Sequence, residues 1–308
     1  MENVAEWKVS LHGGHSGEFC DHAEATLEEM LNAAVEARYH TFGVTEHVPR
    51  HEARFLYPKE IQMGWTVEKI HDDFHRYRER VHALAHAFEG RLNVLRGLEM
   101  ESVPERGYVP LMQAFRNLKL ADGTPNFDYA VGSVHHLHEM GLDGEQEDFK
   151  RIVELSDGVE NTAVLYYTRI AEMVTSLRPE VVSHFDLVKL NVMRIGFEGA
   201  RLDTPRITKL AETALEAVKS VGAILDLNTA GLRKGLGEPY PAPWIVQKAH
   251  AMGIGFCFGD DSHRPSHVGE GVPEARQYLL QLGVPTVTVL RREGSIGSGT
   301  IVQKQVAL

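Results

Sequence analysis

Three histidines fall within eleven residues in His12-Gly-Gly-His-Ser-Gly-Glu-Phe-Cys-Asp-His22, directly after a short apolar run. Neutral imidazole is the commonest side-chain ligand for zinc-, iron- and manganese-class ions, so this spacing points to metal chemistry. Further donors end later apolar runs: His47 in Thr45-Glu-His47, Glu99 and Glu101 in Gly97-Leu-Glu-Met-Glu101, His135 after Val134, His184 in Ser183-His184-Phe-Asp186, and Asp261 with His263 in Gly259-Asp-Asp-Ser-His263. The two glutamates stand at i and i+2, on one side of an extended strand, where one carboxylate could bridge two cations or the pair could end a solvated strand. Asp261 and His263 share a side in the same way. A single histidine at a strand end more often caps or packs; the recurrence is what implies one shared metal centre.

The elements that must carry these donors are seven short runs. They are Trp7-Lys-Val-Ser-Leu-His12, His40-Thr-Phe-Gly-Val-Thr-Glu-His47, Asn93-Val-Leu-Arg-Gly-Leu-Glu99, Asp128-Tyr-Ala-Val-Gly-Ser-Val-His135, Glu180-Val-Val-Ser-His184, Ala223-Ile-Leu-Asp-Leu-Asn228 and Gly253-Ile-Gly-Phe-Cys-Phe-Gly-Asp-Asp-Ser-His263. Helical patterns lie between them, over 25–37, 67–88, 148–155, 161–176, 205–221 and 243–252; in the first, Leu27, Met30, Leu31, Ala34 and Val35 share a face. Asp203-Thr-Pro-Arg is a helix start, with Asp or Thr as cap and Pro in the first turn. Strands alternating with helices give an α/β chain with parallel strands, and donors at six of the seven carboxyl ends place the site at one rim of a barrel. Residues 50–66 and 102–127, rich in Pro, Gly and charge, read as loops over the strand ends. A single domain over 1–308 is expected, with 285–308 an extra strand and tail.

Bulk properties bound the function. The 308 residues are 43% hydrophobic and 24% charged, an ordinary globular composition. A net charge of −11 argues against a nucleic-acid duplex or an anionic membrane as partner, since both require a basic face. Two distant cysteines, Cys20 and Cys257, do not make a disulfide framework. With no basic n-region, apolar leader or run of eighteen apolar residues, a cytoplasmic protein is expected. Other motifs carry less. His71-Asp-Asp-Phe-His75 imitates a zinc-protease helix but has Asp where Glu should be the base. His82, His86 and His138 read as surface residues, and Cys20 as a small packed thiol, with an auxiliary metal ligand as the alternative. The glycines of Gly231-Leu-Arg-Lys-Gly-Leu-Gly237 form neither a Walker loop nor a dinucleotide fingerprint.

Taken in order, the opening from His12 to His22, Thr45-Glu-His-Val-Pro-Arg50, Gly97-Leu-Glu99, Gly132-Ser-Val-His135, His184-Phe-Asp-Leu-Val-Lys189, Asn228-Thr-Ala-Gly-Leu-Arg-Lys234 and Gly259-Asp-Asp-Ser-His-Arg-Pro265 resemble the polymerase-and-histidinol-phosphatase (PHP) superfamily. Within it the resemblance is greatest to the monofunctional histidinol-phosphate phosphatases. It implies a distorted TIM-like (β/α)7 barrel holding up to three divalent ions (zinc, iron or manganese). Carried over by position, one ion takes His12, His15, Glu99 and Asp261; a second shares Glu99 and takes His135 and His184; a third takes His22, His47 and His263. The implied reaction is hydrolysis of L-histidinol phosphate by metal-activated water, with Asp261, His263 and Arg233 catalytic. Arg233 and Lys234 are expected to hold the phosphate, Arg50 and Arg264 to follow them, and Glu46 to meet a substrate amine; Asp186 either orients His184 or caps the next helix. Another small phosphate as substrate, or a metal-binding regulatory role without turnover, are the alternatives. One departure bears on them. The family opens with His-x-His, whereas here two glycines, Gly13 and Gly14, separate His12 from His15. An i,i+3 pair does not face one way on a regular strand. A bulge or positive φ at Gly13-Gly14 would rotate His15 back toward His12; a regular strand would lose one ligand.

Overall fold

The computed structural model describes residues 4–104, 107–197 and 199–308. All seven anticipated runs are strands. β1 comprises Val9–Ser10 and His12–Gly14, β2 Thr41–Val44, and β3 Asn93–Arg96 with Glu99–Glu101. β4 is Val131–Ser133, β5 Val181–Val182, β6 Ile224–Asn228 and β7 Phe256–Ser262. Each pairs in parallel with the next, and β7 pairs back onto β1. The ring therefore closes as a seven-stranded barrel. Its distortion comes from β1 and β3, which break at Leu11 and at Gly97-Leu98, so that their two halves pair with different neighbours. The barrel strands are buried almost throughout, which is why they read as apolar runs rather than as alternating ones.

Helices return the chain between strands, among them Leu27–Glu36, Val67–Ala87, Gln146–Leu155, Val159–Leu177, Pro205–Val221 and Pro243–Ala251. Thr204 caps the fifth of these, accepting from the Ile207 amide, with Pro205 in the first turn. Both segments expected as loops contain helix. Pro58–Gln62 begins on a proline already shaped for a first turn, and Tyr108–Arg116 starts beyond Gly107 at φ 79°. Residues 105 and 106 of that second segment lie outside those described. The expected strand and tail at the C-terminus is a hairpin instead: β8 (Thr286–Glu293) and β9 (Thr300–Ala307) pair antiparallel over their whole length. Among the described residues no helix is long and apolar enough to cross a membrane.

Candidate metal centre

His12 and His15 meet because two strands deform together. From the His12–Gly259 pair to the Gly14–Ser262 pair, β1 advances two residues and β7 three, so the extra residue lies in β7. Asp261 sits there at φ 49°, and Gly14 turns β1 with φ 114°. The expected rotation at Gly14 is present, while the bulge belongs to the partner strand. His12 Nε2 and His15 Nε2 consequently converge on Glu99 Oε2, at 3.5 and 3.4 Å, with Asp261 Oδ1 4.0 Å from each. The other Glu99 oxygen, Oε1, lies 3.7 Å from both His135 Nε2 and His184 Nε2. His184 holds a φ of 24°, a second non-glycine residue outside the ordinary regions at this rim. His22, His47 and His263 gather beside these, with the His22 and His263 ring centres 4.7 Å apart. Cys20, read as a packed thiol with an auxiliary ligand as the alternative, is buried and belongs to two groups of potential ligands: Cys20, His22 and His263, and His15, Cys20 and His47.

These donors fit divalent ions. His12 Nε2, His15 Nε2 and Glu99 Oε1 are buried without hydrogen-bond partners, and His135 Nε2 faces His184 Nε2 at 3.1 Å. Lone pairs turned on one another in a dry site are costly unless a cation lies between them. Meanwhile carboxylates hold the outward nitrogens: Asp226 faces His12 Nδ1 at 3.1 Å, Glu46 His15 Nδ1 at 3.3 Å, Asp21 His22 Nδ1 at 2.9 Å, and Glu101 His135 Nδ1 at 2.8 Å. Such partners set ring orientation and raise ligand basicity. Charges follow the same pattern. Burial opposes ionisation of Glu99, but His12 and His47 hold its carboxyl well below the usual range. Burial likewise disfavours charge on His12, and Glu99, Asp261 and Asp226 outweigh it, raising its pKa well above the imidazole value.

The centre opens into a cavity of about 720 Å³, roofed by Tyr57, Lys59 and Gln62 and flanked by Asp143, Glu145 and Lys234. Of the five proposed substrate contacts, Lys234 is the one that lines it. Arg233 turns away and donates to the carbonyls of Asp260 and Asp261 and to Thr229 Oγ1, so it braces the end of β7. Glu46 is buried and accepts from the Ser16 amide and hydroxyl at 2.7 and 3.0 Å, which leaves no carboxylate for a substrate amine. Arg50 is buried too, paired with Glu60 and laid 4.0 Å from the Tyr57 ring centre. Arg264 points outward to Glu24 at 3.1 Å. Asp186 neither orients His184 nor caps with its side chain; its carboxylate accepts from Ala242 N at 2.8 Å and pairs with Lys189. The residue that does hold His184 is Asp226, which accepts from its amide at 2.6 Å. Its signal was a lone aspartate inside an otherwise apolar strand. Glu101 was signalled by its spacing from Glu99, and Asp143 by nothing local.

A barrel with this rim is the arrangement of the PHP domain family, whose model matches residues 11–230; the chain belongs to that family. Among curated relatives, it is 29% identical to the probable histidinol-phosphatase of Schizosaccharomyces pombe, over 96% of this chain and 93% of that one. It is 28% identical to the histidinol-phosphatase of Saccharomyces cerevisiae, over 88% of each. The fold matches a crystal structure of histidinol phosphate phosphatase from Lactococcus lactis complexed with zinc, L-histidinol and phosphate, at a TM-score of 0.64 and 16% identity, over 92% of this chain and 96% of that chain.

Proposed function

We propose that this chain is a metal-dependent phosphomonoesterase that hydrolyses L-histidinol phosphate to L-histidinol and phosphate, a step of histidine synthesis. The observation that carries the reading is Glu99, whose two oxygens face two separate histidine sets at the foot of the cavity. In this reading His12, His15, Glu99 and Asp261 hold one divalent ion, Glu99, His135 and His184 a second, and His22, His47 and His263 a third. Ions bound there supply Lewis acidity that activates water and neutralises phosphoryl charge. The chain's own groups do the rest. Glu99 holds the two main sets at a fixed separation, and Asp226 locks both His12 and the His184 backbone against rotation. Lys234, reaching the cavity from just beyond β6, offers the cation for a phosphate oxygen. Zinc accords with the imidazole-rich donors, and iron or manganese fit the same set. The two free cysteines, 20 and 257, accord with a cytoplasmic setting.

The test is phosphate release from L-histidinol phosphate beside nucleotides and sugar phosphates, using chelated protein and protein restored with zinc, manganese or iron. Selective turnover restored by metal is the expected result. Preference for another phosphate would move the substrate and keep the chemistry. Metal binding without turnover under any ion would favour the regulatory reading.

A further inference from the structure

The carboxylates on the cavity wall are of two kinds. Asp21 is committed to His22, and Glu99 and Asp261 to the central histidines. Asp143 and Glu145 remain. Glu145 is exposed at the rim, where the helix Gln146–Leu155 begins. Asp143 is half-buried, and the backbone of the residue before it is anchored twice: Leu142 N donates to His135 O at 2.7 Å, and Asn191 Nδ2 to Leu142 O at 3.0 Å. A carboxylate is thus held at a set distance from a donor strand without joining the donors. Its ion-pair partner is Lys234, with Nζ 3.4 Å from Oδ2.

We infer that Asp143 is a specificity-determining residue that receives the ammonium group of the substrate, so that the class accepted is the phosphate monoester of a 1,2-amino alcohol. The inference rests on the phosphatase reading above. In such an ester only one oxygen and two carbons separate phosphorus from the ammonium nitrogen, so its opposite charges are close neighbours. Lys234 and Asp143 present the complementary neighbours on one wall. Binding exchanges their mutual pair for two pairs with substrate. The exchange costs the fold little, because a half-open ion pair contributes little to stability. A phosphate without an amine meets Lys234 but leaves Asp143 unpaired and facing a dianion, and this penalty disfavours nucleotides and sugar phosphates.

The experiment compares zinc-loaded wild type with Asp143→Asn on L-histidinol phosphate and on its deaminated counterpart, imidazolylpropyl phosphate. For the amine substrate kcat/KM should fall ~10–100-fold, chiefly through KM, the scale of one charged hydrogen bond. For the deaminated ester it should hold or rise, and Asp143→Glu should recover part of the loss. Equal losses on both esters, or none on either, overturn the inference. Failure of the phosphatase reading shows separately, as wild type that turns over neither ester. Calorimetric titration of wild type with L-histidinol and with imidazolylpropanol keeps the question decidable in that case and if the variant does not fold. Tighter binding of the amine by ~10-fold or more supports Asp143, and equal binding overturns it.

Discussion

Gly14 approaches Ser262 so closely that a β-carbon on it would stand 2.0 Å from the Ser262 carbonyl oxygen. That same oxygen accepts from the His15 amide at 2.8 Å, so the contact aims His15. The φ of 114° at Gly14 adds strain for any L side chain. Gly14→Val should therefore push β1 off β7 and separate His15 from His12. The expected outcome is loss of bound metal, read by elemental analysis of the purified protein, with stability lowered by roughly 2 kcal/mol or more. Unchanged stoichiometry would show that His15 does not depend on this contact.

Asp226 offers a test of the support beneath the donors. It is fully buried, with Oδ2 toward His12 Nδ1 and Asn228 Nδ2, and Oδ1 on the His184 amide. Asp226→Asn must turn an amide N–H toward one of these donors. Zinc affinity, measured by competition with a chromophoric chelator, should drop ~10–100-fold while the fold survives. Wild-type affinity in the variant would make Asp226 a packing residue only.

All nine donors carried over from the resemblance stand at the rim, because each lies at or just beyond the end of one of six strands, and strand ends are local features of sequence. What could not be read there depends on chain paths and pairing. The glycine pair drew attention to β1, yet the extra residue lies in β7 at Asp261, since register is a property of two strands. Glu46 and Arg50 stand in the right motif, but their burial and their commitments, Glu46 to Ser16 and His15 and Arg50 to Glu60, arise from tertiary packing. Tyr57 and Asp143 reach the cavity from segments that carry no periodic signal, and only the folded chain brings them over the metal site.

His136 makes stability depend on pH. Burial, with Arg50 and His135 nearby, pushes its pKa down to about 4, and its Nδ1 has no partner. An unfolded histidine titrates near ~6.5, so between these values the unfolded chain binds a proton that the folded chain refuses. The stabilisation is complete above ~6.5 and is lost as pH falls toward 4, on the order of 3 kcal/mol in all. Urea unfolding at about pH 7.5 and about pH 5 should show wild type losing about 2 kcal/mol more than His136→Phe, with other titrating groups common to both. Equal losses would mean that His136 is already protonated in the fold.

Lys234 and Arg233 are adjacent in sequence and opposite in predicted effect. Lys234 lines the cavity and contacts Asp143 at 3.4 Å, whereas Arg233 ties down the Asp260 and Asp261 carbonyls. Lys234→Met should lower kcat/KM ~10–100-fold and leave unfolding within about 0.5 kcal/mol of wild type. Arg233→Met removes donors from buried carbonyls at the bulge that carries Asp261, so it should cost roughly 1.5–3 kcal/mol of stability and release metal before substrate affinity is in question. Urea unfolding and metal content separate the two variants from kinetics. If Arg233→Met were to keep its metal and its stability and lose only turnover, the guanidinium would have to leave β7 and reach the phosphate, restoring the role that its motif suggested.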